Sequence, residues 1–189
     1  MLKDEAAGAD DPIALYRRAT TGAIGVAARL RPEQLGDPTP CSAWSVQDLL
    51  GHLTGGTEYL LAALEQREPA PRQGTTVADF ETGVASVLDG LAAPGALDRR
   101  CMSPLGFEWP VGQAVAGTFM DVLIHTFDLA RATGQDERLD PELVAVCAAM
   151  FLPDMPERDR QAGIVGPAVR VGPGAAPQDV LLAAMGRTP

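Results

Sequence analysis

Only two histidines occur in this 189-residue chain, and both sit inside strongly apolar, helix-like patterns. His125 belongs to the stretch M-D-V-L-I-H-T-F-D-L-A-R-A-T-G, where Asp121 precedes it by four residues and Asp128 follows it by three. On a helix that spacing aligns all three side chains as one polar stripe. His52 lies in D-L-L-G-H-L. An acid and a histidine four residues apart on one helix, with a histidine from another, supply three ligands to a divalent metal. The expected ligand set is therefore His52, Asp121 and His125.

Three protein ligands leave a position for water or substrate, the pattern of catalytic rather than structural zinc, although nickel or iron accepts the same donors. An ion held this way acts as a Lewis acid or lowers the pKa of a bound water or thiol. Asp121, flanked by Met120, Val122, Leu123 and Ile124, is expensive to bury unpaired, and an ion or a histidine removes that cost. Asp128 is expected to orient a ligand from behind rather than to bridge Arg131. The plainer alternative is a buried polar network that holds no ion.

The elements that must position these residues can be read from turn and cap signals. Asp11 and Pro12 open a first helix that ends before Pro32, and Gly22 and Gly25 within it suggest close approach by another helix. Ser45 and Asp48 form a capping box ahead of a second helix carrying His52, with Gly51, Gly55 and Gly56 around it. Those three glycines imply tight packing or room for a ligand. A Pro-rich connection over residues 67–75 leads to a third helix from Val77 to Leu91. Residues 94–110 predict an irregular excursion, with room for a short hairpin, whose Met102, Phe107 and Trp109 line one side of a cavity. A fourth helix runs from Val111 to Thr133 and closes at Gly134. A fifth starts at Asp140–Pro141 and stops at Pro153, residues 153–177 read as an irregular surface wrap, and a short helix spans Asp179 to Met185. Residues 1–10 predict a disordered tail, leaving residues 11–189 as one domain.

Composition narrows the function. Fifteen Lys and Arg against 25 Asp and Glu give a net charge of −10, which repels a nucleic-acid backbone. No segment offers the roughly 20 apolar residues of a membrane span. The N-terminus is acidic, with no basic region ahead of an apolar run, so export is not expected. Three cysteines, Cys41, Cys101 and Cys147, are far apart and odd in number, which fits a reduced, cytoplasmic protein. The expected partner is a small molecule; whether two copies form a homodimer stays open. Cys41 has no base beside it in sequence, which argues against a catalytic thiol. Ser45 is explained as a cap, and Trp44 and Trp109 as core or rim packing.

Three blocks together, T-P-C-S-A-W-S-V-Q-D-L-L-G-H-L, D-V-L-I-H-T-F-D-L-A-R-A-T-G-Q and P-Q-D-V-L-L-A-A-M-G-R-T-P, resemble the DinB-like metalloenzyme superfamily. The nearest branch is that of the N-terminal domain of mycothiol-dependent maleylpyruvate isomerase and short metal-binding proteins related to it. The resemblance implies an all-α, four-helix bundle of up-down-down-up topology with a metal, often zinc, on His52, Asp121 and His125. It further implies mycothiol as cofactor, its thiol bound as a thiolate for isomerisation or S-transfer. The isomerase itself has glutamate at the place of Asp121 and a second domain for which this chain has no length. Two rivals are a metal-dependent cyclase, hydrolase or lyase that uses no thiol, and a non-catalytic bundle that binds a ligand or a partner.

Overall fold

The computed structural model describes residues 11–41, 43–71, 76–153 and 155–189; the expected tail over 1–10 lies outside them, as do residues 72–75 of the Pro-rich connection. The fold is mostly helical, with a single two-stranded sheet among the described residues. The chain divides into two compact units, Met1–Glu137 and Arg138–Pro189.

In the first unit α1 (Pro12–Ala27) begins where Asp11 accepts a hydrogen bond from the Ile13 amide and Pro12 supplies a preset φ. Helix α2 (Val46–Glu65) begins with the reciprocal Ser45–Asp48 box, and α3 (Val77–Leu91) repeats that device with Thr76 and Asp79. Helix α4 (Val111–Ala132) ends at Gly134, whose φ of 66° lies in the left-handed region. These four helices pack on one another, α1 against α3 and α4, and α2 against α3 and α4. Their shared interior holds Leu49, Leu50, Leu53, Leu60, Phe80, Phe119, Phe127 and Leu129, all essentially inaccessible.

On α1 the expected close approach at Gly22 and Gly25 is not found. A Cβ at Gly22 or Gly25 would meet nothing within 4 Å, so crowding does not account for either. At Gly83 on α3 a Cβ would lie 2.1 Å from Thr57 Oγ1 and 2.8 Å from Thr57 Cβ of α2. The missing side chain there sets how near the two helices come.

Between α3 and α4 the excursion is more ordered than its proline content suggested. A 3-10 turn at Ala96–Asp98 leads into a hairpin of β1 (Arg100–Met102) and β2 (Glu108–Pro110), antiparallel, with Cys101 opposite Trp109. Ser103 closes its tip: its amide donates to the Phe107 carbonyl, and its hydroxyl accepts from the Leu105 and Phe107 amides.

The second unit contains α5 (Pro141–Phe151), α6 (Met155–Gln161) and α7 (Pro177–Ala184). Helix α5 is capped by Asp140 as expected. Helix α6 stands inside the stretch expected to be irregular; its M-P-E-R-D-R-Q sequence has too few apolar residues to produce a helical stripe. Leu143, Val144, Cys147, Leu181 and Leu182 are buried, and burial pushes the Cys147 thiol up to about 12. No helix among the described residues is long and apolar enough to cross a membrane.

Candidate metal centre

The expected ligands come together between α2 and α4, within the first unit. His52 Nε2 lies 2.9 Å and 3.1 Å from the two Asp121 carboxylate oxygens, and His125 Nε2 lies 3.3 Å from Asp121 Oδ1. Donor atoms of the three residues all fall within 4.8 Å of one another. Helix geometry produces this directly: four residues on α4 bring Asp121 and His125 onto adjacent turns of one face, and α2 packs alongside with His52 turned toward them. The Asp121 side chain remains 33% exposed and that of His52 28%, so the set opens to solvent on one side.

Behind this set stands Asp128, fully buried, with Oδ2 accepting a 2.8 Å hydrogen bond from His125 Nδ1. That bond makes Nδ1 the protonated edge of the imidazole and turns Nε2 toward Asp121. Arg131 pairs with Glu137 and lies over the Phe127 ring, and the charge of Asp128 also acts on it.

Two residues of the loop before α2 complete the surroundings. The Thr39 amide and hydroxyl both donate to the Trp44 carbonyl, while the Trp44 amide donates to the Cys41 carbonyl. The tight turn so formed places the Trp44 ring 4.6 Å from the His52 ring and 5.6 Å from the His125 ring, centroid to centroid. Trp44 thus covers both imidazoles, a role that packing alone did not suggest. Cys41 Sγ lies 3.5 Å from Asp128 Oδ2, to which the thiol donates, and 4.0 Å from His125 Nδ1. The base and acid beside Cys41, His125 and Asp128, come from α4, 84 and 87 residues along the chain, so nothing adjacent to Cys41 in sequence reveals them. The signal that was present is nearness to His52, eleven residues later on the same loop-and-helix segment.

The electrostatics tie Asp121 and His125 into one unit. Burial works against a charged Asp121, but the charge and hydrogen bond of His125, followed by those of His52, outweigh it and hold the carboxyl well below the usual carboxylate range. Burial also favours a neutral His125. The charge and hydrogen bond of Asp121 overcome this, with help from Asp128 and Cys41, and raise the imidazole well above its ordinary 6.5.

The family described as "Mycothiol maleylpyruvate isomerase N-terminal domain" matches residues 16–130. The chain belongs to that family. The matched segment holds His52, Asp121, His125 and Asp128 together, and the family is metal-binding and mycothiol-related. Two relatives from Mycobacterium tuberculosis, the uncharacterized proteins MT0763 (strain CDC 1551) and Rv0738 (strain H37Rv), are each 38% identical over 184 residues, covering 94% of this chain and 98% of theirs. No solved structure matches the chain.

Proposed function

We propose that His52, Asp121 and His125 hold one divalent metal ion, zinc in the first instance, and that the protein is a metalloenzyme acting on a small molecule with mycothiol as co-reactant. The observation that carries this reading is the convergence of three good donors on one partly open point. Donors bound about 2.1 Å from one tetrahedral ion stand about 3.4 Å apart. The observed contacts from Asp121 to the two imidazoles, 2.9 Å and 3.3 Å, are already of that size. The residues present therefore fit the ion, which when bound supplies Lewis acidity and a lowered pKa for a water or thiol.

The chain's own groups do the positioning. Asp128 fixes the His125 tautomer, Trp44 covers the two imidazoles against water on one side, and the exposed edge of Asp121 and His52 leaves access for the substrate. Family membership supports thiol-dependent isomerase or S-transferase chemistry and the up-down-down-up arrangement of α1–α4; it also favours the cytoplasm, where the Cys41, Cys101 and Cys147 thiols stay reduced. Nickel or iron on the same donors, and hydrolytic chemistry without a thiol, are the nearest variants of this reading.

Elemental analysis tests it. The wild type should carry about one zinc per chain and His52→Ala close to none; a metal-free wild type, or an unchanged metal content in the variant, overturns the proposal. A second reading is favoured by one observation, that the two imidazoles and Asp121 already satisfy one another by hydrogen bonds. They would then serve as a polar network in a non-catalytic bundle, and zinc would not raise the unfolding temperature.

A further inference from the structure

We infer that Trp109 and Phe107 of the hairpin form the specificity wall of the site, and that the molecule presented to the metal carries a flat, apolar group, aromatic or conjugated. The inference rests on the metal reading above for where the reacting end of that molecule sits.

Four observations place the wall. Gly117 lies one turn before Asp121 on the same face of α4, about 6 Å along the axis. A Cβ there would touch the outer edge of the Trp109 ring at 3.5 Å, so the indole lies against α4 directly beneath the carboxylate. From the other side, Tyr59, two turns after His52 on α2, accepts a 2.9 Å hydrogen bond from Trp109 Nε1. Tyr59 Oη in turn donates to the Met102 carbonyl at 3.0 Å. The indole therefore bridges α2 and α4 one level below the ligand set.

Those bonds also determine what the wall offers. The only polar atom of the indole and the donor of Tyr59 are both consumed within the wall, so what remains toward solvent is ring surface. Phe107 meets Trp109 edge-on at 5.8 Å between centroids and stays 39% exposed. Exposed aromatic surface packed against α4 one helical turn from Asp121, with its indole N–H already engaged, selects flat apolar groups by stacking and burial.

The test uses the cobalt-loaded full-length protein and two simple thiols, ethanethiol and 4-fluorophenylmethanethiol, followed by the sulfur-to-cobalt absorption band and by fluorine NMR. The aromatic thiol should bind about tenfold more tightly than ethanethiol, the worth of one good ring contact. Trp109→Leu and, independently, the surface variant Phe107→Ala should reduce that preference to about threefold or less, with ethanethiol affinity and cobalt content unchanged. Equal affinity of the wild type for the two thiols, or a preference that survives both substitutions, overturns the wall. A fluorine shift that Trp109→Leu abolishes, in a protein showing no cobalt band, upholds the wall and overturns the metal reading instead.

Discussion

Metal-free and zinc-loaded protein should respond differently to pH above 6.5, and the difference can be worked out from His125. In the metal-free protein its imidazole faces Asp121 at 3.3 Å and Asp128 at 2.8 Å and keeps its proton well above 6.5. Unfolded, it loses that proton near 6.5. Between 6.5 and the folded value the native state thus binds one proton more than the unfolded state. Unfolding free energy then falls with rising pH, by at most about 1.4 kcal/mol per pH unit. The stabilisation is complete below 6.5 and is lost as pH climbs through the folded value. Asp121 behaves in the opposite sense: its depressed carboxyl stabilises above its ordinary value near 3.8 and loses that effect toward lower pH. Metal-free protein should therefore be most stable between about 4 and 6.5. A zinc ligand must give up its proton, so with saturating zinc the loss above 6.5 disappears, and apparent zinc affinity rises up to about tenfold per pH unit. Denaturant unfolding at pH 6.5, 7.25 and 8, with zinc and with chelator, measures both curves; the same groups elsewhere titrate in both, so their difference isolates the centre. Parallel curves would refute the assignment of a proton-bearing, metal-competent His125.

Removing the support behind the ligand should be felt in affinity before it is felt in fold. Asp128→Asn is expected to weaken zinc binding by about 10- to 100-fold, read by competition with a chromophoric chelator, with little change in the stoichiometry at saturating metal. At the α2–α3 contact, Gly83→Ala should cost about 1–3 kcal/mol in denaturant unfolding, because its Cβ lands on Thr57. Thr57→Gly should recover part of that loss in the double variant, whereas additive losses would show that the Gly83→Ala cost does not arise from contact with Thr57.

The helices and their ends were legible because the signals are local. Asp11–Pro12, Ser45–Asp48 and Asp140–Pro141 sit where the backbone needs a cap, and α1, α2 and α5 begin there. The polar stripe was legible for the same reason, since Asp121, His125 and Asp128 lie on one helix and their spacing alone fixes their face. What could not be read is whatever depends on segments meeting from far along the chain. Cys41 acquires its acid and base only when the loop before α2 folds against α4, and Trp44 reaches two rings that no periodicity links to it. Gly22 and Gly83 look alike in sequence, yet only Gly83 faces a neighbour that a methyl group would strike. Helix α6 escaped because short polar helices carry no apolar stripe.

The division of labour between helices and hairpin has a consequence for how such a protein diversifies. His52, Asp121 and His125 all sit on packed helices, whereas Trp109 and Phe107 hang on β1, β2 and the tip between them, joined to α2 through a tyrosine hydroxyl. Connections of this kind accept insertions and exchanges that helices packed in a core do not. Lengthening the hairpin or exchanging its aromatics would retune what is admitted while leaving the ligand geometry in place. A metal held by His52, Asp121 and His125, as proposed, would in this way serve different substrates without any change in its own ligands.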